Sequence, residues 1–347
     1  MKYRLFCSLI ILIIFYVVAE ISNDGFISIR PDLFENMESN HRDILESEPC
    51  VEGKNMKVFV KNQSEIEMYA SIDTNKCLLT RFAKNDWGTW NIKGWYIINE
   101  PYASVEIPSK NEVLLAGENT DWEYVFRIIN PNNSSWYFSG GNHSNEDLIS
   151  ISFYGYNNGV KAELSEGEVK EIEILKVNEN TSLNVDELNI KRYATVERNY
   201  IFGTNSIKLA TKFSFVKDVF LGTSYVTMFP ISKQYGQYIK FDTSDKVFKT
   251  PSFGVTETKE GYENYIGKVD ATSALMWGDK NCEYKYKVWI KNKEMLDNCN
   301  NELKVFLWDI NKFSNKLYFS KYDTDNPKKI FAGTVWENLQ GWDFIFN

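Results

Sequence analysis

Apolar and polar residues alternate along this chain, run after run, and that period of two commits it to β-structure. Between 207 and 215, Ile207, Leu209, Thr211, Phe213 and Phe215 fall on one side, and Lys208, Ala210, Lys212 and Ser214 on the other. Successive side chains of a strand point to opposite faces, so the pattern makes one apolar face and one wet face. Residues 283–288 repeat it, with Glu283, Lys285 and Lys287 opposite Tyr284, Tyr286 and Val288. Similar short runs occur at 65–72, 122–129, 148–156, 168–177, 193–202, 219–229, 302–308 and 316–322. Turn residues separate them, among them Asn158-Gly159, Gly140-Gly141 and Asp325-Asn326-Pro327. The fold expected is all-β: a large antiparallel β-sandwich, or two sandwich lobes divided in the polar stretch 178–189. The length past residue 50 exceeds a simple sandwich, which is why two lobes enter the reading.

The N-terminus follows a different rule. Lys2 and Arg4 precede the uncharged run from Leu5 to Ala19, and Glu20 ends it. A basic head, an apolar middle and a small residue at the exit make an export signal. The run is shorter than the roughly twenty apolar residues of a membrane span, so residues 1–19 read as a signal peptide, with an uncleaved anchor as the alternative. Residues 20–49 read as a polar connector, and Cys50 begins the β-rich domain 50–347. The location expected is secreted or cell-surface, and a membrane enters only through the N-terminal segment.

Charge narrows the partners. The chain carries 39 basic and 47 acidic residues, a net of −8, and losing Lys2 and Arg4 with the signal takes it to −10. A nucleic-acid partner wants a basic face, so none is expected. Cys7 lies in the signal, which leaves Cys50, Cys77, Cys282 and Cys299. An even number in an exported chain suggests two disulfides, and the local pairs Cys50–Cys77 and Cys282–Cys299 are favoured among three pairings. Each would contribute about 3 kcal/mol by the loop-entropy argument.

Three groups of residues could carry chemistry. Ser139 to Asp147 (SGGNHSNED) crowds proton-transfer groups into a glycine-opened loop that holds Asn142 and His143. His143 is the one histidine past the connector and suits general-base work. Gly141-Asn142-His143 is similar to a metallophosphoesterase motif, but the further histidines such a site needs are missing. The second group lies between 192 and 241. Elimination from a uronate needs a carboxylate neutraliser, a base and an acid for the leaving oxygen, and Asn142, His143, Arg198 and Tyr235 supply those residue types. The third is DWGTWNIKGW, whose Trp87, Trp90 and Trp95 could stack on sugar rings or fill a sandwich core. No glycine-flanked nucleophilic serine, His-Glu-x-x-His or phosphate loop is present.

No cofactor or metal is expected. Calcium is the one ion left open, since Asp323-Thr324-Asp325-Asn326 begins like a calcium loop and then departs from it at Pro327. The expected function is binding or cleavage of an extracellular polysaccharide by elimination or hydrolysis. The partner is then an extracellular glycan or a cell-surface component. The alternative is a non-catalytic surface interaction protein.

Overall fold

Two antiparallel sheets hold most of the residues described by the computed structural model, which are 55–118, 120–255, 265–278, 283–296, 304–322 and 326–346. The signal, the connector, Cys50, Cys282, Cys299 and Asp323 to Asp325 lie outside the described residues. The helical pieces among those described are three short turns, Gly141–His143, Asp186–Leu188 and Lys293–Leu296.

The first sheet has thirteen strands. From one edge they run Val169–Ile172, Met56–Asn62, Glu65–Ser71, Cys77–Lys84, Trp90–Ile98, Glu112–Gly117, Val219–Ser232, Ser314–Tyr322, Val305–Asp309 and Tyr265–Val269. Lys328–Ile330 and Val125–Ile129 also pair with Val219–Ser232, and Trp136–Ser139 pairs with Val125–Ile129. The second sheet has ten: Val247–Lys249, Tyr238–Phe241, Ser273–Trp277, Tyr284–Ile290, Val335–Phe346, Ser206–Phe215, Ile190–Phe202, Ile174–Val185, Glu146–Asn157 and Val160–Ala162.

The alternation explains the assembly. Ile207, Leu209, Phe213 and Phe215 are buried in one core, as their spacing requires. Asn158 and Gly159 both take positive φ and close a two-residue hairpin, the turn whose twist matches paired strands. The sheets meet ring to ring: Phe82 lies 5.0 Å from Tyr200, Phe126 5.0 Å from Phe213, Trp122 5.8 Å from Trp342 and Trp95 6.0 Å from Phe344. Such offset and edge-on contacts between large rings stabilise a sandwich core beyond the area they bury.

Two expectations are corrected here. The stretch 178–189 divides nothing. Ile174–Val185 is one strand paired on both sides, and the first sheet itself joins strands from both halves of the chain. The stretch looked like a linker because its inward positions include Glu179 and Thr181, which are polar yet buried. Cys77 is a free, buried thiol and makes no bridge to Cys50; its Sγ donates to the carbonyl of Glu100 at 3.3 Å. Burial pushes this thiol up to about 11, which suppresses the reactive thiolate. We therefore expect Cys77 to stay unlabelled by a maleimide at pH 8 in the folded protein and to label on unfolding in urea. Peptide mass mapping reads the site, and rapid labelling of the native protein would contradict this placement.

Candidate functional site

Trp90 and Trp95 are core residues. Trp90 packs against Phe82 and Phe153, and Trp95 against Trp122, Phe229, Tyr286 and Phe344. Neither offers a face to a ligand, since both are buried between the sheets. Trp87 is half-buried in the turn that leads into Trp90.

Arg198 is also placed differently from the expectation. It is fully buried between the sheets, where its Nη2 lies 2.9 Å from Glu179 and 3.5 Å from Glu146. Glu123 completes a cluster of three buried carboxylates around one guanidinium. Tyr124 and Thr181 each donate to Glu146 at 2.5 Å, Trp90 N–H donates to Glu179 at 2.9 Å, and Ile92 N–H donates to Glu123 at 2.8 Å. Burial pushes the Glu179 carboxyl up to about 7 against the pull of Arg198, and it raises Glu123 as well. Arg198 is thus the counter-charge of an internal cluster, and no substrate carboxylate reaches it. Tyr235 is half-buried with Glu283 and Lys76 as its charged neighbours, and it shares no contact with His143.

His143 and Asn142 do come together, with partners that their loop alone does not reveal. The His143 ring is 40% exposed and its Nε2 lies 3.2 Å from Asp121 Oδ2. Asp121 is buried, and its other oxygen accepts the Asn142 backbone N–H at 2.6 Å. Lys316 Nζ stands 3.5 Å from Asp121 Oδ2 and donates to Thr120 Oγ1 at 2.8 Å. Burial alone would raise the Asp121 carboxyl, but Lys316, His143 and the Asn142 N–H overcome it and hold it at about 2. Gly141 makes the close approach: a Cβ there would sit 2.4 Å from Asp121 Oδ1 and 2.5 Å from the Tyr124 carbonyl, and its φ is +60°. With Nε2 protonated, His143 donates to Asp121 and keeps Nδ1 free of its proton, the form a general base needs.

Beside this polar group runs an aromatic face. At its centre Val125, Met228, Phe306 and Tyr318 form a buried cluster apart from the main core, against which the partly buried Phe138, Tyr225, Tyr265 and Trp308 pack. Their positions alternate with core residues such as Phe126, Leu307, Leu317 and Phe319, so they occupy the side of the first sheet that faces away from the second. Phe138 ties the two parts together. Its ring lies 4.6 Å from His143 and 5.2 Å from Trp136, which is 48% exposed. Lys316 reaches 5.2 Å from the Tyr318 ring. Asp121, Lys316, Phe138 and Trp136 escape a reading by motif, because no local pattern marks them. Their one trace is the alternation of Lys316 with Tyr318 and of Trp136 with Phe138.

The class defined by these observations is an all-β, two-sheet sandwich with a polar and aromatic face on one sheet. No protein-family model matches the sequence, and no curated protein matches it. Solved structures resemble it in fold. The galactosidase domain of the alpha-galactosidase-sucrose kinase AgaSK is 5% identical, with a TM-score of 0.45 over 84% of this chain and 42% of that one. The GH36 alpha-galactosidase AgaB of Geobacillus stearothermophilus is 8% identical, with a TM-score of 0.40 over 80% of this chain and 41% of that one. A galactose 1-epimerase of Lactobacillus acidophilus is 9% identical, with a TM-score of 0.36 over 84% and 99%. The chain spans about two-fifths of the length of these alpha-galactosidases.

Proposed function

We propose that this is an exported or surface-tethered carbohydrate-active protein whose glycan site is the exposed corner of the first sheet formed by Trp136, Phe138 and His143, with His143 as its proton-transfer group. One observation carries the reading: an exposed imidazole, backed by a buried ionised carboxylate, at the end of a line of rings from Trp136 through Phe138. Flat rings stack on the apolar faces of sugars, and a few placed polar groups fix orientation. Hydrolysis by the usual route asks for two carboxyl groups facing the sugar. The carboxylate in contact with His143 is Asp121, which is already met by three donor groups, so the arrangement favours proton abstraction and elimination over hydrolysis. His143 would take the ring proton, the adjacent carbon–oxygen bond would break as the double bond forms, and the leaving oxygen would be protonated from solvent.

The test is a panel of neutral and uronate polysaccharides, followed by ultraviolet absorbance, reducing ends and retention together. New absorbance is the expected result. Reducing ends without absorbance would replace elimination by hydrolysis, and retention without product would make the face a binding module. Silence across the panel would overturn the reading in favour of a surface interaction protein.

A further inference from the structure

Not every charged group near His143 has an opposite charge in contact with it. Asp121 is balanced by Lys316, but the Lys93 ammonium has neutral amide oxygens as its contacts among the described residues. It donates to Asn85 Oδ1 and, at 3.3 Å, to Asn142 Oδ1. The backbone aims it there. Arg81 stands opposite Gly94 and Phe82 opposite Ile92, which leaves Lys93 as the extra residue of a β-bulge. A bulge redirects one side chain out of the regular alternation. Its carbonyl is held by Glu118 N–H at 2.8 Å, so the displacement is fixed. Asn142 accepts from Lys93 through Oδ1, which leaves its Nδ2 group as a donor beside the ammonium. An ammonium and an amide N–H side by side suit the two oxygens of a carboxylate.

We propose that Lys93, with Asn142, reads a carboxylate on the ligand, so the glycan that this site takes carries uronate units. The inference rests on the glycan reading of the same face and adds the substrate class to it. Asp121, Glu123 and Asp86 also bear on Lys93 at longer range. Burial lowers Lys93, as it raises Glu123, while Glu123, Asp121 and the exposed Asp86 favour its charged form. Asp121 has Lys316 as its contact, so a ligand carboxylate would be the first anion to touch the Lys93 ammonium.

The experiment is calorimetric titration of the full chain with an oligogalacturonate and with a glucuronate oligomer, each beside its carboxyl-reduced counterpart. One charge-assisted contact predicts about tenfold to a hundredfold tighter binding of the acidic form, with the gap narrowing as salt rises. Lys93→Gln keeps a donor for Asn85 and Asn142 but removes the charge, and it should equalise the two affinities while the thermal unfolding midpoint stays in place. Equal affinities in the parent would overturn the role of Lys93 and leave the glycan site standing. A preference that survives Lys93→Gln would do the same. Binding of neither form would overturn both readings.

Discussion

Replacing Arg198 by methionine should cost about 3–5 kcal/mol of stability, read as a lower urea midpoint at unchanged slope. Among the described residues it is the single cation in contact with Glu146 and Glu179, and Glu123 lies within its field. Removing it strands carboxylates in a dry interior, where an unpaired charge is far more expensive than in water. The loss should also depend on pH. The Glu179 carboxyl is raised from its ordinary 4.5 to about 7 in the folded state. A group with a raised folded pKa holds its proton more tightly when folded, so its contribution is fully present below about pH 4.5. That contribution drains away as pH climbs through about 7, a change of about 3 kcal/mol. Glu179→Gln should flatten that slope in the parent protein. Without Arg198, the carboxyls lose the charge that favours ionisation, and the decline should move to higher pH. A change below about 1 kcal/mol in Arg198→Met would show that the cluster is not the internal ion network described here.

The same cluster shows where the sequence is legible and where it is not. Period-two alternation locates Ser206–Phe215 and Tyr284–Ile290, because an inward apolar residue beside an outward polar one is a local signal. The rule fails at Ile174–Val185. Leu175, Val177, Leu183 and Val185 obey it, but Glu179 and Thr181 occupy inward positions and serve Arg198 and Glu146, which the pattern cannot announce. Tryptophan spacing is equally mute. Whether Trp95 meets a sugar or Trp122 depends on which face of its strand the second sheet covers. The loop Ser139 to Asp147 was legible as a place for chemistry because its glycines and polar groups are contiguous. Its partners were not: Lys316 meets Thr120 and Asp121 from nearly two hundred residues away, through strand order alone. Arg198 and Tyr235 have suitable chemistry for the site, and the register of the sheets sends them elsewhere.

His143→Ala should remove a general base's share of the rate, about 100-fold to 10,000-fold in kcat, while the unfolding midpoint stays within a degree or two. The ring is substantially exposed and its contacts are Asp121 and Phe138, so little of the core depends on it. Glycan retention should survive in this variant, because Trp136, Phe138 and Lys93 remain to hold the ligand. Asp121→Asn separates support from catalysis. Its amide preserves shape, but an N–H directed at His143 Nε2 favours the tautomer with the proton on Nδ1, the wrong nitrogen for a base, by the logic of a carboxylate-oriented imidazole. Activity should therefore fall in Asp121→Asn even though His143 is present. Stability should fall too, since Lys316 is buried and loses its counter-charge. The acid limb of the parent gives an independent check. Asp121 is held at about 2, below its ordinary 3.8, so its contribution is intact above about pH 4 and is lost between about 4 and 2. Asp121→Asn should lack that acid-sensitive loss while His143→Ala largely retains it, since Lys316 and the Asn142 N–H still hold the carboxylate. Full turnover in His143→Ala would remove the imidazole from the chemistry and leave Trp136 and Phe138 as a binding surface.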